Sequence, residues 1–502
     1  MEKYIVETTS GKVRGYERNG LIEYLGIPYA QPPLGKLRFK RARPISQWKG
    51  IFGAKEYGHV SVQLEEGELK GDEDCLTLNI QRPLEGENFP VLVWIHGGGY
   101  NTGSASDPLY NGKAFVEDGI LFISFQYRLN VLGFYDFTTY PGCEDFESNC
   151  GISDHIIAMK WIHENVKVFG GNPNQVTIAG ESAGGTSIMN MLVIPSVRGM
   201  FQQAIPASAI PNGIFTHEIA RENMDLFLEG MKWTDKDLPK LRTIHPFELQ
   251  KGNTYVAEKH QYRNPGMFLP SPVLDDLIPV RPLDAIRNGS AAGIKLMIGT
   301  NLHEGTMFVR SEKTVFPSNW SMVEEMFKKN GNEEALPAIM EYYQSGGHED
   351  FNGIDEAFIQ FATDYAFQMP ALKIAEAQKA YGEVWMYRFE FISKFGQKTG
   401  YKAAHAFELP CVFKNRNFKF SRLIFDDEPE EKVEAIINSI HTSWVQFIKT
   451  GKPDAENWPK YTGYDSPIRI FDEKTRTEQL NRSELMSVWG DLRFYEDSTS
   501  SS

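Results

Sequence analysis

The stretch that decides the fold is Gln175-Val-Thr-Ile-Ala-Gly-Glu-Ser-Ala-Gly-Gly185. Its apolar first half predicts a strand over residues 176–179, followed by a sharp turn over 180–184 and then a helix. The turn reads Gly-x-Ser-x-Gly around Ser182, the only such match in the chain. A serine at this kind of corner projects its hydroxyl above the sheet. The N–H of Ala183, at the start of the helix, points the same way and can hold a developing oxyanion.

A second glycine-rich stretch lies upstream, directly after a run of six apolar residues. Residues 90–95 predict a strand that is buried on both faces. The sequence His96-Gly-Gly-Gly-Tyr100 follows at once, and its bare backbone lets N–H groups approach a ligand closely. One interpretation is a surface turn, and the other is an oxyanion hole formed by Gly98 and Gly99. The presence of Ser182 downstream favours the second interpretation, because an oxyanion hole combines the N–H after the nucleophile with N–H groups of a glycine-rich loop.

The order of the remaining patterns predicts an α/β fold with a large, mixed, mostly parallel sheet flanked by helices. The further predicted elements are strands at 119–126, 294–299, 383–391 and 468–471, the last of these being the final strand, and helices at 153–167 and 430–449. Residues 4–26 predict antiparallel hairpins at one sheet edge, and the Pro-rich residues 26–39 predict irregular structure.

The sequence predicts a single domain, because it contains no segment that would separate two domains. A length of 502 residues would suggest about three domains. However, no Pro/Gly/Ser-rich linker, charge block or internal repeat divides the sequence. We therefore expect one domain over residues 1–502, with mixed helical insertions at 210–270 and 311–380 that cap the carboxyl edge of the sheet.

Composition excludes several classes of partner. The formal net charge is −14, which argues against nucleic acid and against an anionic membrane surface. No apolar run is long enough to span a membrane, and the first residues show no signal peptide. Four cysteines do not make a disulfide framework. We expect a cytoplasmic protein in which Cys143 and Cys150, although close in sequence, are free thiols.

A serine nucleophile needs a base, and the base needs an orienting acid. After a strand–turn–helix corner these partners follow in the order acid, then histidine. Glu304 lies in a Gly-bounded loop just after the strand predicted at 294–299, which makes it the first candidate for the acid. Asp275 and Asp276 are rivals, but they do not follow an obvious strand.

Three histidines follow Glu304 in the sequence. His348 lies in a polar loop, and His441 falls inside a predicted helix. His405 follows the strand predicted at 383–391 and sits among apolar residues, which is also typical of a purely structural histidine. Its place in the strand order makes it the best candidate for the base.

These residues carry a resemblance to the type-B carboxylesterase/cholinesterase family of α/β-hydrolases, and within it to bacterial carboxylesterases of the para-nitrobenzyl esterase type. Eight stretches match in the same order, over about residues 25–455. They are Leu25-Gly-Ile-Pro-Tyr-Ala with Pro32-Pro-Leu-Gly-Lys-Leu-Arg-Phe39, Glu73-Asp-Cys-Leu-Thr-Leu-Asn79, Trp94-Ile-His-Gly-Gly-Gly-Tyr100, Tyr127-Arg-Leu-Asn-Val-Leu-Gly-Phe134, Phe169-Gly-Gly-Asn-Pro173, Gly180-Glu-Ser-Ala-Gly-Gly185, Gly299-Thr-Asn-Leu-His-Glu-Gly305 and Ala404-His-Ala-Phe-Glu-Leu-Pro410.

The resemblance implies a role for each residue at a matching position. Ser182 would be the nucleophile, His405 the base and Glu304 the acid. The N–H groups of Gly98, Gly99 and Ala183 would form the oxyanion hole. Two further residues would support this set from behind, namely Glu181 beside the nucleophile and Ser208 behind the acid.

Four positions depart from the family pattern. Exported relatives pair a cysteine at the position of Cys75 with one upstream, where this chain has Ser61. The bridge is therefore expected to be absent, which supports an intracellular protein. His155 stands where Gln is usual. Asp276 and Ala406 each stand where Gly is frequent, and Ala406 is expected to tilt the loop that carries His405.

The sequence thus predicts a serine carboxylesterase that acts on a small-molecule ester through an acyl-enzyme, with no metal and no cofactor. A lipase or polyester-type hydrolase would use the same triad with a different pocket. A non-catalytic scaffold of the same fold would typically lack one triad member. The sequence leaves the oligomeric state open.

Overall fold

The central element of the protein is a large twisted sheet. The computed structural model describes residues 4–210, 213–309, 316–317, 319–344, 350–351, 354–453, 458–480 and 482–495. Within these residues the main sheet has eleven strands, and three smaller sheets accompany it. His348 lies outside the described residues, as do the polar residues from 497 onward, which the sequence predicts to be a frayed tail.

The strands of the described residues are β1 Ile5–Thr8, β2 Gly11–Arg14, β3 Tyr16–Arg18, β4 Leu21–Pro28, β5 Ile51–Gly53, β6 Gln63–Glu65, β7 Glu68–Lys70, β8 Thr77–Pro83, β9 Phe89–Ile95, β10 Leu121–Phe125, β11 Gly171–Glu181, β12 Gln203–Ala207, β13 Lys295–Asn301, β14 Asp350–Phe351, β15 Ile354–Asp355, β16 Val384–Phe389, β17 Pro467–Phe471 and β18 Arg476–Gln479.

The α-helices of the described residues are α1 Lys113–Glu117, α2 Asn130–Phe134, α3 Cys150–Asn165, α4 Ala183–Met191, α5 His217–Met231, α6 Gln250–Arg263, α7 Pro282–Arg287, α8 Thr306–Val309, α9 Trp320–Lys329, α10 Leu336–Gln344, α11 Glu356–Thr363, α12 Met369–Gln378, α13 Lys394–Thr399, α14 Leu409–Val412, α15 Lys419–Phe425, α16 Glu430–Thr450 and α17 Ser483–Trp489. A π-helix over Asp364–Gln368 joins α11 to α12.

The main sheet has the order β18-β17-β16-β13-β12-β11-β9-β10-β8-β4-β3. The seven strands from β17 to β10 in this order are parallel to their neighbours. Strands β18, β8, β4 and β3 pair antiparallel at the two ends. This arrangement confirms the predicted mixed, mostly parallel sheet.

Both faces of the sheet are covered, as the apolar run of β9 predicts. Val91, Val93 and Ile95 belong to the hydrophobic core on one face. Leu92 and Trp94, which alternate with them, belong to the core on the other face. All five side chains are fully buried, so β9 is held between two layers of helices.

The N-terminal hairpins are only partly as predicted. β3 and β4 form a hairpin at the edge of the main sheet. β1 and β2, by contrast, form a separate sheet with β5, and β5 pairs parallel to β2. Local alternation predicts a strand but not a partner that lies about forty residues away along the chain.

Two further boundaries differ from the prediction. β4 continues to Pro28 because a register shift between Tyr24 and Ile27 absorbs Gly26, so irregular structure begins later than residue 26. A short 3-10 turn over Gly35–Leu37 follows. β17 is not the last strand, because β18 pairs with it, and the charged sequence of β18 has no apolar alternation to reveal it.

The two edge strands of the main sheet, β3 and β18, are short, and both carry charged side chains. β3 contains Glu17 and Arg18. β18 contains Arg476, which forms ion pairs with Glu390 and Glu478. Among the described helices, none combines the length and the apolar character needed to cross a membrane.

All four cysteines are free and buried, which confirms the prediction for Cys143 and Cys150. Burial raises the pKa of the Cys75 thiol to about 12, so this thiol is protonated at neutral pH.

A buried ion pair fixes the loop after β10 to helix α3. The guanidinium of Arg128 donates to Asp154 from Nε at 2.9 Å and from Nη2 at 2.6 Å. The backbone N–H of Arg128 also donates to Asp154, and Nη1 donates to the carbonyl of Lys40. Because both side chains are almost fully buried, neither charge has water as an alternative partner.

Replacement of Asp154 by Ala should therefore lower the free energy of unfolding by about 3–5 kcal/mol, because it leaves the Arg128 charge buried and unpaired. Denaturant titration followed by tryptophan fluorescence measures this loss. Glu478→Ala, which breaks an exposed pair, should cost about 1 kcal/mol or less. Equal losses in the two variants would contradict the prediction.

Candidate active site

The predicted corner is sharper than the sequence suggests. β11 ends at Glu181 and α4 begins at Ala183, so Ser182 alone makes the turn. Its backbone has φ 59° and ψ −123°, which is a strained conformation for a residue with a side chain. Strand pairing persists up to this point, because the N–H of Ser182 donates to the carbonyl of Ala207 at 3.0 Å.

Two glycines make the close approach around this corner possible. A Cβ at Gly184 would lie 2.0 Å from the carbonyl oxygen of Ile95, and one at Gly180 would lie 2.6 Å from the same atom. Both distances are well inside van der Waals contact, so any side chain here would push α4 away from β9. The Gly-x-Ser-x-Gly pattern is thus required by packing against the neighbouring strand.

Glu304 and His405 meet in the interior, although about a hundred residues separate them. His405 Nδ1 lies 2.5 Å from Glu304 Oε2, and both side chains are buried. The other oxygen of Glu304 accepts hydrogen bonds from the Ser208 hydroxyl at 2.5 Å and from the N–H of Asn301 at 2.6 Å. The predicted loop after β13 therefore presents its carboxylate to His405, with Ser208 behind it.

The rival candidates are engaged elsewhere. Asp275 and Asp276 both accept hydrogen bonds from Arg41. His441 is buried in α16, with Nδ1 2.6 Å from the carbonyl of Val412. None of these groups contacts His405 in the described residues.

The second ring nitrogen of His405 lies beside Glu181. His405 Nε2 lies 2.9 Å from Glu181 Oε1, but the angles are not those of a hydrogen bond. The hydroxyl of Ser182 has no hydrogen-bond partner among the described residues. The structure therefore gathers Glu181, Glu304 and Ser208 around His405, and it does not form the bond between His405 and Ser182.

The charges around His405 decide its protonation. Burial lowers the pKa of His405, but the adjoining carboxylates of Glu181 and Glu304 outweigh this effect and raise the pKa well above 6.5. The two carboxylates therefore favour the positively charged imidazole over the neutral one.

A third buried carboxylate, Glu408, lies close to this group. Asn301 Nδ2 donates to Glu408 Oε2 and to the carbonyl of Ala404, both at 2.6 Å. Burial, together with the charges of Glu181 and Glu304, raises the pKa of Glu408 to about 8. Glu408 is then mostly protonated at neutral pH and adds little negative charge beside His405.

The glycines after β9 adopt backbone conformations that side chains disfavour. Gly98 has φ +105° and Gly99 has φ +60°. A Cβ at Gly97 would lie 2.6 Å from the carbonyl oxygen of Glu181, so this loop packs directly against the corner. No described residue accepts a hydrogen bond from the N–H of Gly98 or Gly99, and these donors are available to a ligand.

Aromatic rings cover the other side of His405. Phe308 and Phe367 have ring centroids 5.0 and 4.9 Å from the imidazole. Phe268 packs edge-to-face on Phe308 and lines an apolar cavity together with Tyr365. These rings are absent from the sequence-based predictions, because nothing in their local sequence marks them. Asn301 and Glu408 were also missed, although each stands three residues from a predicted site residue, Glu304 or His405.

Two of the sequence departures have visible consequences. His155 is fully buried, and neither of its ring nitrogens has a partner among the described residues. Ala406 has φ 66°, in the left-handed region that favours glycine. The loop of His405 thus keeps the glycine-like backbone although the glycine is gone.

Replacement of Ala406 by Gly should raise the free energy of unfolding by about 0.5–1 kcal/mol. Relief of the left-handed strain, about 1–2 kcal/mol, exceeds the added flexibility of the unfolded chain, about 0.4–1 kcal/mol. The unfolding midpoint in a thermal or denaturant scan reports the change. Ala377→Gly, inside helix α12, should instead destabilise by about 1 kcal/mol. A lower midpoint for Ala406→Gly would refute the expectation.

A mostly parallel sheet covered by helices, with a serine at a strand-to-helix corner and an acid and a histidine on later loops, is the α/β-hydrolase architecture. The chain belongs to the carboxylesterase family, whose model matches residues 2–489.

Named relatives share nearly the full length of the chain. The para-nitrobenzyl esterase of Bacillus subtilis (strain 168) is 35% identical, over 96% of this chain and 98% of that protein. The phenmedipham hydrolase of Pseudarthrobacter oxydans is 31% identical, over 94% of this chain and 95% of that protein. A solved structure of a PNB esterase superposes with a TM-score of 0.83 at 32% identity, covering 96% and 99% of the two chains. This chain is therefore a carboxylic ester hydrolase.

Proposed function

We propose that the protein hydrolyses small-molecule carboxylic esters in two steps, with Ser182 as nucleophile, His405 as base and Glu304 as the acid that orients His405. The observation that carries the proposal is the 2.5 Å contact between His405 Nδ1 and Glu304 Oε2, beside a serine that alone forms the corner between β11 and α4. Glu304 holds the ring in one orientation, which leaves Nε2 as the atom that exchanges protons.

In the first step, Ser182 Oγ forms a bond to the ester carbonyl carbon and passes its proton to His405 Nε2. The carbonyl oxygen becomes an oxyanion that accepts hydrogen bonds from the N–H groups of Gly98, Gly99 and Ala183. The bond to the alcohol oxygen then breaks, and the alcohol leaves with the proton from His405.

In the second step, water attacks the acyl-enzyme while His405 again takes the proton. The bond to Ser182 Oγ breaks, Oγ recovers its proton from His405, and the carboxylic acid is released. The cycle returns every group to its starting state, and no further reactant is required.

This mechanism requires His405 to be neutral and its Nε2 to accept a hydrogen bond from the Ser182 hydroxyl, a bond that the described residues do not form. Contacts of this kind are often poorly aligned before substrate binds and tighten in the complex. Glu181 thus has two effects in the proposal: it stabilises the imidazolium that forms during the reaction, and it competes with Ser182 for Nε2 in the resting enzyme.

The names of the two bacterial relatives, para-nitrobenzyl esterase and phenmedipham hydrolase, suggest aromatic esters or carbamates as first substrates to try. The aromatic rings next to His405 are compatible with such groups, because aryl rings pack favourably edge-to-face.

Ser182→Ala should lower kcat for a para-nitrophenyl ester by roughly 10⁴- to 10⁶-fold. An organophosphonate should label wild-type protein once, on Ser182, by mass spectrometry. Ser443→Ala, a buried serine in α16, is the matched control and should keep wild-type turnover. Undiminished turnover in Ser182→Ala would refute the proposal.

Glu181→Gln should move the acidic limb of the kcat/KM–pH profile to lower pH. Loss of one of the two carboxylates that raise the pKa of His405 lowers that pKa, so the neutral base is available at lower pH. A profile measured with a neutral ester reports the shift. Glu117→Gln, which changes the same charge at an exposed position, should leave the limb in place. An acidic limb of Glu181→Gln that stays or moves upward would count against this role.

A further inference from the structure

In the loop that carries Gly98 and Gly99, three consecutive backbone carbonyls each have a hydrogen-bond partner. The carbonyl of His96 accepts from the Tyr127 hydroxyl at 2.8 Å. The carbonyl of Gly97 lies 2.9 Å from His96 Nδ1, and the carbonyl of Gly98 accepts from the N–H of Thr102 at 3.0 Å. Every carbonyl in the segment that precedes a glycine N–H therefore has a partner.

These bonds set the direction of the free N–H groups. In a trans peptide the carbonyl and the next N–H lie in one plane and point in opposite directions. The bond to the Gly97 carbonyl thus orients the N–H of Gly98, and the bond to the Gly98 carbonyl orients that of Gly99. The bond from Tyr127 fixes the plane before them, between His96 and Gly97.

Tyr127 is itself firmly placed. Its ring stacks on His96, with centroids 4.4 Å apart and planes at 20°, and the ring of His155 also has its centroid 4.4 Å away. The next residue along the chain is Arg128, whose backbone and side chain are tied to Asp154. A fully buried ring that packs against two imidazoles, next to a backbone anchored by an ion pair, resists displacement.

The protonation state of His96 follows from its partner. A carbonyl oxygen only accepts, so Nδ1 carries the proton that bonds to Gly97. Burial lowers the pKa of His96 to about 4, and the ring stays neutral across the pH range in which the proposed base His405 would work. The hydrogen bonds of His96 and Tyr127 therefore do not change with pH in that range.

We infer that Tyr127, acting through His96, is a positioning residue that aims the N–H groups of Gly98 and Gly99 at the oxyanion. The inference rests on the proposed function, because it assigns a purpose to these residues only if an oxyanion forms there. Tyr127 touches no reacting atom in this scheme. Its effect is to keep the donors in place before the reaction, so that they need not reorganise when charge develops.

The direct test is Tyr127→Phe, which keeps the ring and removes only the hydroxyl that holds the His96 carbonyl. We expect kcat for a para-nitrophenyl ester to fall about 10- to 100-fold, less than the roughly 100- to 1000-fold cost of deleting an oxyanion donor, with KM within about twofold of wild type. The affinity for an aryl trifluoromethyl ketone, which forms a tetrahedral adduct, should fall in parallel with kcat.

The chain offers a closely matched control in Tyr29. This tyrosine is also buried, and its hydroxyl also donates to a backbone carbonyl, that of Gln126, at 2.6 Å. Tyr29→Phe should lower stability by a similar amount and leave kcat unchanged. A purely structural role for Tyr127 would make the two variants equal in both respects, and that result would overturn the inference.

A second pair of variants tests the same brace at His96. His96→Asn can still place an amide N–H near the Gly97 carbonyl, and His96→Leu cannot. Greater turnover in His96→Asn than in His96→Leu is expected, and equal turnover in the two would count against the inference. Failure of the proposed function would be seen separately, as activity in Ser182→Ala. Wild-type kcat in Tyr127→Phe with an inactive Ser182→Ala would overturn this inference alone.

Discussion

The site depends on a single strained residue. Ser182 connects a buried strand to a buried helix with no intervening turn, at φ 59° and ψ −123°. That conformation persists only where the surroundings determine it completely. On one side, the N–H of Ser182 pairs with the carbonyl of Ala207. On the other side, α4 packs so closely on β9 that there is no room for a side chain at Gly180 or Gly184. Packing in the core of the sheet offsets the cost of this corner and holds the backbone of Ser182 in place.

The second feature of the site is the group of carboxyl side chains around His405. His405 is enclosed by Glu181 and Glu304, and the pKa of Glu408 is raised to about 8, so that at neutral pH this third carboxyl is mostly uncharged. A buried imidazolium between two carboxylates is well stabilised, which suits the charged intermediate of the proposed reaction more than the neutral starting state. In the proposed reaction, the carboxylates stabilise the positive charge that develops on His405 in the transition state. The N–H groups of Gly98 and Gly99 stabilise the negative charge that develops on the oxyanion.

Much of this arrangement could be predicted from local sequence, since the motif around Ser182, the glycines after β9 and the order of acid and histidine each follow from strand ends. The pairing of Glu304 with His405 was predicted in this way, from the positions of both residues after strand ends. The pairing of β2 with β5, the position of Glu181 against Nε2 and the rings of Phe308 and Phe367 could not be, because each depends on which distant segments pack together. Ala406 lies between these cases: the sequence shows that it stands where Gly is frequent in the family, and only the structure shows its left-handed backbone.

The charged edge strands have a consequence for the behaviour of the whole molecule in concentrated solution. The edge strand of an open sheet is a template to which a strand of another chain can add. Short strands bearing Glu17, Arg18, Arg476 and Glu478 make such an addition unfavourable, because it would desolvate charge along the new seam. Charge at its two edges thus disfavours strand addition to a sheet whose central strands are apolar.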